Sequence, residues 1–129
     1  MSAYHSKEQA LSVFTELFEI LLADELFVAR MRAGGLSLRL VQTDPALQLH
    51  VGPSGVRECD ESASAAISIK MSCDTAHQLW SGSLLMPLAL ATGKIRIRGS
   101  VSKVLEFVPL LRPAFDRYPT LAETAGVRA

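Results

Sequence analysis

The spacing of the large apolar residues changes along the chain, and this feature constrains the fold more than any other. Between residues 11 and 22 apolar side chains recur every three or four positions, which is typical of a helix with one buried face. Between residues 36 and 71 apolar and polar side chains alternate, which is typical of strands with one face in water. After residue 74 the helical spacing returns. These periods predict a helix, a group of strands and a mostly helical final third.

The first helix is predicted to begin after Ser6, whose hydroxyl can cap it, with Gln9 completing a capping box three residues later. We expect this helix to run towards Arg32 and to end at Gly34-Gly35, because glycine readily adopts the left-handed conformation that stops a helix. Its apolar stripe consists of Leu11, Phe14, Leu17, Phe18, Leu21 and Leu22.

Four strands are predicted in the alternating region, at residues 36–40, 47–51, 56–59 and 67–71. Asp44-Pro45 marks the first turn, and the Gly-Pro-Ser-Gly run at 52–55 marks the second. Short strands with one wet face favour antiparallel pairing.

Two short helices and a fifth strand are predicted next. Asp74 is expected to cap the first helix, which ends at Gly82. Residues 84–91 form a second short apolar segment, and the alternation at residues 94–98 predicts the strand.

The last helix is predicted to begin after Ser100, which can cap it. Pro109 and Pro113 should kink or divide this helix, because proline lacks the amide proton that the helix ladder needs. We expect the segment 120–129 to be frayed.

This order of elements predicts a single α+β domain over residues 1–129, with a five-stranded, mostly antiparallel sheet and helices packed on one face. The helices carry more apolar side chains than one sheet face needs. The surplus has two interpretations: it fills a tight core, or the helices stand off the sheet and leave a lined cavity. Close packing is the commoner outcome in protein interiors.

Charge and motif content argue against several classes of function. Thirteen basic residues balance thirteen acidic ones, so the chain lacks the electrostatic basis for binding nucleic acid. Its three histidines, His5, His50 and His77, lie in different elements, and Cys59 and Cys73 form neither a zinc motif nor a disulfide framework. We therefore expect no enzyme activity, no metal and no cofactor. The start of the chain is not typical of a secretory signal, which favours a cytoplasmic protein.

The fifth strand carries Lys94, Arg96 and Arg98 on one side and Ile95 and Ile97 on the other. The simpler interpretation is a solvated sheet edge that is protected from pairing by its charges. The functional interpretation is a contact with anionic lipid headgroups or with a phosphate-bearing ligand.

Residues 65–111 resemble the type-two sterol carrier protein (sterol-binding) domain. The matching features are the strand 66–72 followed by Asp74, a helix that ends Leu-Trp-Ser-Gly at 79–82, Leu84, and an apolar helix leading into Thr-Gly-Lys-Ile-Arg-Ile-Arg-Gly at 92–99. The family shows a glycine, a lysine and alternating apolar and basic residues in this last strand. The resemblance implies the same order of elements for the whole chain.

Two departures bear on the ligand. The family often has Asn-Pro-Met-Gln-Ala-Phe before the glycine-lysine strand, whereas this chain has Leu-Met-Pro-Leu-Ala-Leu at 85–90, with Leu88 at the glutamine position. The hydrogen bond that this glutamine would give a ligand is lost. The peroxisomal tail is also absent, which fits a small stand-alone member of bacterial type. Both departures weaken the case for a sterol and leave an apolar cavity as the expectation.

The resemblance implies a non-enzymatic lipid-binding or lipid-transfer domain, with a hydrophobic tunnel between sheet and helices for a fatty acyl, sterol-like or other apolar ligand. Trp80, the one tryptophan, is the strongest candidate for the tunnel wall. The predicted lining residues are Phe14, Leu17, Phe18, Leu21, Trp80, Leu84, Leu88, Leu90, Leu105, Val108 and Leu111.

The alternative is a protein-interaction module that keeps the fold but has a filled tunnel. It predicts an exposed apolar patch near Pro109 and Pro113 and a homodimer or a protein partner. The lipid-binding interpretation adds a transient contact with a membrane surface.

Overall fold

A computed structural model describes residues 3–127 as a five-stranded sheet covered on one face by helices. The strands are β1 (Leu38–Thr43), β2 (Leu47–Gly52), β3 (Gly55–Glu58), β4 (Ile67–Ser72) and β5 (Arg96–Arg98). The helices are α1 (Lys7–Leu22), α2 (Glu25–Gly34), α3 (Cys73–Trp80), α4 (Met86–Ala91), α5 (Val101–Phe107) and α6 (Arg112–Thr124), with a 3-10 turn at Val108–Leu111. The predicted α+β fold is confirmed.

The sheet has the order β3-β2-β1-β4-β5. β1 pairs parallel with β4, and the other strand pairings are antiparallel, so the prediction of a mostly antiparallel sheet is confirmed. The parallel pair was not foreseen, because alternation along a strand does not reveal the direction of its neighbour. β5 is shorter than predicted and forms one edge of the sheet.

The predicted first helix is two helices. Ser6 caps α1 as expected, accepting from the Gln9 amide at 3.1 Å, while the Gln9 side chain accepts from the His5 amide rather than from Ser6. The break comes at Asp24, whose carboxylate accepts from the Leu26 amide and caps α2. The chain then ends α2 with a left-handed Gly35, as the glycine pair predicted.

The predicted cap of α3 is wrong by two residues. Ser72 caps the helix, with its hydroxyl accepting from the Thr75 amide at 3.0 Å. Asp74 lies in the first turn, where its carboxylate accepts from the Ala3 amide at 2.7 Å. Asp74 therefore fixes the start of the described chain against α3.

The last third agrees with the proline signals. Ser100 caps α5 by accepting from the Lys103 amide at 3.3 Å, and the 3-10 turn that contains Pro109 separates α5 from α6. Beyond Pro119, where fraying was expected, α6 continues to Thr124, and the Gln9 side chain donates to the Ala125 carbonyl at 2.9 Å. Residues 128 and 129 of the predicted frayed segment lie outside the described residues.

Three aromatic side chains and a histidine hold α1, α3 and α6 together beneath the start of the chain. The Tyr4 and Tyr118 hydroxyls are 2.6 Å apart, and the Tyr118 hydroxyl lies 2.8 Å from His77 Nδ1. Phe14 packs against both tyrosine rings. Burial raises the pKa of Tyr118 to about 12, so this hydroxyl stays protonated and available for hydrogen bonding.

We predict that His77 makes the folded state less stable as the pH falls. Burial lowers the pKa of His77, and the nearby Asp74 carboxylate opposes this shift only in part. The unfolded chain therefore takes up a proton at about pH 6.5, where the folded chain still resists it, and stability falls as the pH drops below this value. Melting temperatures measured from pH 7.5 to pH 5.5 should fall more steeply for the wild type than for His77→Gln.

His50→Gln is the matched control, since His50 lies on a strand away from this network. This substitution should leave the slope of melting temperature against pH unchanged. An equal slope for wild type and His77→Gln would show that His77 does not contribute to the pH dependence.

Candidate functional site

An apolar cavity of about 60 Å³ lies between the sheet and the helices. The inward-facing residues of β1 and β4 form its floor, and residues from all helices except α6, with Leu36 and the 3-10 turn, form its walls. The lining residues are Phe18, Phe27, Met31, Leu36, Leu38, Leu40, Gln42, Ile67, Ile69, Met71, Leu79, Trp80, Met86, Val104, Phe107 and Leu111.

The floor follows from the register of the parallel pair. Leu38 is opposite Ile67, Leu40 is opposite Ile69, and Gln42 is opposite Met71. Because directly paired residues point to the same face, these side chains form three adjacent rows beneath the helices. The rows span about 13 Å at roughly 3.3 Å per residue.

Three of the predicted lining residues reach this cavity: Phe18, Trp80 and Leu111. Phe18 and Trp80 meet edge to face with ring centroids 6.0 Å apart. The Trp80 ring also packs against Phe115, at a centroid distance of 5.1 Å. These contacts place the tryptophan in the cavity wall, where its fluorescence can report on the contents.

The structure does not bring the other eight predicted residues to the cavity. Those on α1 lie in the fully buried core instead, where Phe14 stacks on Tyr118 of α6 at a centroid distance of 6.3 Å. Leu88 and Leu105 point outwards and are 55% and 38% exposed, because their helices turn other residues inwards. The remaining residues, buried or partly buried away from the cavity, are Leu17, Leu21, Leu84, Leu90 and Val108.

Sequence reasoning missed the sheet residues and two residues of α2. The alternation that predicted β1 through Leu36, Leu38 and Leu40 continues to Gln42, so a signal for this polar lining residue was present. Phe27 and Met31 are one helical turn apart, but their inward orientation depends on the break at Asp24, which the spacing did not reveal.

The cavity is small for a lipid. Sites that hold a drug-sized ligand usually enclose about 300–1,000 Å³, against about 60 Å³ here. An acyl chain therefore requires the lining to move apart. Met31, Met71 and Met86 belong to that lining, and methionine is the apolar residue that changes its shape most easily.

The cover over one side of the cavity is loosely attached. Among the described residues, α4 makes only sparse backbone contacts with other helices and strands. α5 contacts the 3-10 turn that follows it, and its Phe107 packs edge to face against Phe27 of α2 at a centroid distance of 5.2 Å. Met86 of α4 and Val104 and Phe107 of α5 nevertheless line the cavity. Elements with few packing contacts open at a low free-energy cost, so this cover is the part of the wall that yields first.

None of the described residues that line the cavity carries a charge. Gln42 is its one polar side chain, and its Nε2 donates to Cys73 Sγ at 3.4 Å. Burial raises the pKa of the Cys73 thiol to about 11, so it stays neutral and donates to the Pro45 carbonyl at 3.4 Å. The site therefore suits an apolar occupant.

The outer face of the sheet is different in character, because basic side chains from three strands meet there. Arg39 of β1, Lys70 of β4 and Arg96 and Arg98 of β5 surround a shallow depression. Arg39 Nη1 donates to the Glu61 carbonyl at 3.0 Å. The pairing of Lys70 with Arg96 in the sheet register concentrates positive charge at the β5 edge.

Two further observations concern the described residues as a whole. No helix within residues 3–127 is long and apolar enough to cross a membrane. The same residues contain no group of three histidine, cysteine or acidic side chains placed to hold a metal ion.

Comparison with known proteins gives a structural match. Neither protein-family models nor curated proteins match the sequence. Among solved structures, the sterol carrier protein domain 2 of Helicoverpa armigera is similar, with a TM-score of 0.68 and 18% identity over 88% of this chain and 94% of the other.

Two further solved structures are similar at the same low identity. Apo sterol carrier protein 2 of Yarrowia lipolytica has a TM-score of 0.65 and 15% identity over 87% of this chain and 97% of the other. Sterol carrier protein 2 of Aedes aegypti, in complex with the C16 fatty acid palmitate, has a TM-score of 0.53 and 15% identity over 75% of this chain and 96% of the other. The chain therefore has the sterol carrier protein 2 fold.

Proposed function

We propose that this protein is a non-enzymatic domain that binds and transfers a lipid with a long apolar chain. The observation that carries this proposal is the cavity between sheet and helices, where fifteen of sixteen lining residues are apolar. The similar Aedes aegypti protein is in complex with palmitate, which supports an acyl chain as the kind of ligand.

The burial of such a chain supplies enough free energy. Each buried methylene contributes about 0.8 kcal/mol, so a dozen contribute on the order of 10 kcal/mol. Association costs at least several kcal/mol of lost translational and rotational freedom, in the range of about 4–15 kcal/mol. A longer chain of about fifteen methylenes contributes about 12 kcal/mol, and the lower end of the association cost then leaves about 8 kcal/mol, which corresponds to micromolar binding without a strong polar contact. Opening the lining lowers this affinity by the free energy that the opening costs.

The ligand replaces lining contacts as it enters. The methionine side chains move aside first, and α4 and α5 then move away from the sheet. Their displacement separates Phe107 of α5 from Phe27 of α2, but it leaves the aromatic core of α1, α3 and α6 intact. A cavity of about 60 Å³ is consistent with this behaviour, since an empty apolar cavity of full size would destabilise the fold.

Ligand binding should change the fluorescence of Trp80 and raise the melting temperature. The matched pair of variants is Leu40→Phe and Val41→Phe, since Leu40 lines the cavity and its neighbour faces the other side of the sheet. Extra volume in a packed site costs about 1–3 kcal/mol. Leu40→Phe should therefore weaken binding of palmitate or of a long-chain alcohol by about tenfold, and Val41→Phe should bind as the wild type does.

Titration of the wild type with these lipids gives the deciding result. If fluorescence shows no saturable change and the melting temperature does not rise, the lipid-binding proposal is wrong. Equal weakening by both variants would place the ligand outside the cavity.

We also propose that the protein exchanges its ligand at an anionic membrane surface. Residues 75–105 contain four basic side chains and no acidic one, although the whole chain is neutral. The same stretch carries the exposed apolar residues Leu85, Leu88, Val101 and Leu105. Because Arg96 and Arg98 line the depression on the outer face of the sheet, the bases that can accompany the exposed apolar residues are Lys94 and Lys103. Exposed lysines beside exposed apolar side chains suit the headgroup region of an anionic bilayer.

This surface adjoins the loosely attached cover of the cavity. Leu85 and Leu88 flank Met86 on α4, and Val101 and Leu105 flank Val104 on α5. Insertion of these exposed residues into a bilayer can therefore move α4 and α5 away from the sheet and open the cavity to a lipid.

Vesicle sedimentation tests the membrane surface. The wild type should bind vesicles of phosphatidylcholine with phosphatidylserine more strongly than vesicles of phosphatidylcholine alone, and salt should reduce the difference. The double substitution Leu85→Ser and Leu88→Ser should weaken binding by on the order of a hundredfold, because each leucine loses on the order of 1.5 kcal/mol of burial and each 1.4 kcal/mol is a factor of about ten.

Leu26→Ser is the control, because Leu26 is an equally apolar residue that is 70% exposed but belongs to α2 and not to α4 or α5. Unchanged binding by the double variant, or equal loss with the control, would rule out a specific contact by α4.

A protein-interaction module is the second candidate, and the small volume of the cavity favours it. Such a module needs exposed apolar residues, which were predicted beside Pro109 and Pro113. In the structure they lie on α4 and α5 instead. Native mass spectrometry of protein purified from cells separates the two functions. Co-purified lipid supports the carrier, and a stable homodimer without lipid supports the interaction module.

A further inference from the structure

Gln42 is the polar residue of an otherwise apolar cavity. It lies on β1, is 4% exposed and is opposite Met71 in the parallel register. Leu38 and Leu40 precede it on the same face, so the amide lies at one end of the three rows that form the floor. The alternation of apolar and polar residues along β1 predicts an apolar residue at position 42, and the chain has a buried amide there instead.

The hydrogen bonds of this amide are incomplete. Its Nε2 donates to Cys73 Sγ at 3.4 Å, and sulfur is a weak acceptor. Within residues 3–127 no group donates to its Oε1. A buried amide without partners is unfavourable and is normally satisfied by protein, water or ligand.

A purely structural role accounts for only part of this arrangement. The bond to Cys73 uses one N–H group, and Cys73 reaches the Pro45 carbonyl through its own thiol. Leucine in place of Gln42 would remove no donor that Cys73 needs for this second contact. The oxygen of the amide remains without a role inside the protein.

We propose that Gln42 is the polar end of the ligand site and hydrogen-bonds a neutral, oxygen-bearing end group of a long apolar chain. This inference rests on the proposed lipid-binding function and specifies which class of lipid the cavity holds. The amide accepts through Oε1, and it donates through the second N–H of Nε2, which the contact with Cys73 does not use. A hydroxyl group matches both roles, since it donates and accepts.

The surroundings of Gln42 select against an ionised end group. None of the described lining residues is charged, so a carboxylate or phosphate that reached this end would be buried without a counter-charge. Burial keeps the neighbouring Cys73 thiol neutral by raising its pKa to about 11. The ligand class is therefore a long-chain alcohol or amide.

Two isomeric probes test the hydrogen bond without changing the size of the ligand. 1-Dodecanol donates a hydrogen bond, and 1-methoxyundecane has the same atoms but no donor. The dissociation constants are measured by Trp80 fluorescence for the wild type, Gln42→Leu and Gln42→Met. Gln48→Leu is the matched control, because Gln48 also has a buried side-chain oxygen without a hydrogen-bond partner among the described residues but lies on the neighbouring strand and faces the outer depression instead of the cavity.

The wild type should bind dodecanol about fivefold more tightly than the ether, as expected for one net hydrogen bond. Both Gln42 variants should lose this preference while still binding the ether, and Gln48→Leu should keep it. Melting curves establish that each variant is folded. Two Gln42 variants are used so that the test remains possible if one of them does not fold.

Three results would overturn the proposal. If the wild type binds both probes equally, or the Gln42 variants retain the preference, the lipid-binding function stands and Gln42 has no part in recognition. If Gln48→Leu also abolishes the preference, the effect does not belong to Gln42. If neither probe binds the wild type but palmitate does, the inference fails and the lipid-binding function stands. If palmitate does not bind either, both fail.

Discussion

The parallel pairing of β1 with β4 is the constraint on which the site depends. This pairing brings two strands that are 29 residues apart, counted from Leu38 to Ile67, into direct register, so their inward side chains form one continuous floor. A slip of one residue would turn Arg39, Ser68 and Lys70 towards the helices and the apolar rows towards water. The cavity and the basic outer face therefore arise together from the same register, as the two sides of one pair of strands.

The helical layer is held unevenly over this floor. On one side, α1, α3 and α6 are joined by the Tyr4–Tyr118–His77 hydrogen bonds and by stacked rings. On the other side, α4 has sparse contacts, α5 is attached to α2 through the Phe27–Phe107 ring contact, and both carry exposed leucines. A layer that is firm on one side and loose on the other can change its volume without unfolding. The proposed carrier function needs this property, because the cavity of about 60 Å³ is smaller than its ligand.

Charged side chains and apolar side chains lie on opposite faces of the sheet. The net charge is zero, yet residues 75–105 hold four bases and no acid, and the outer sheet face adds Arg39 and Lys70 to Arg96 and Arg98. Inside the cavity Gln42 stands alone among apolar residues. Leu88 stands where the family that the chain resembles often has glutamine, and its side chain is exposed on α4. A polar contact with a ligand would therefore come from Gln42 of β1 instead.

The sequence by itself determined the elements and the class of fold. Apolar periods of three to four and of two are local properties, and the capping Ser6 and Ser100, the glycine pair after α2 and the two prolines all act within a few residues. The resemblance over residues 65–111 then supplied the architecture. The cap at Asp24 is equally local, and its signal was missed because the apolar spacing continues past it. The tertiary structure alone decided the strand direction and the membership of the cavity wall. Phe14 and Phe18 lie on the same apolar stripe, yet one faces α6 and the other faces Trp80. That choice depends on how neighbouring helices are placed, and a pattern along one helix contains no information about its neighbours.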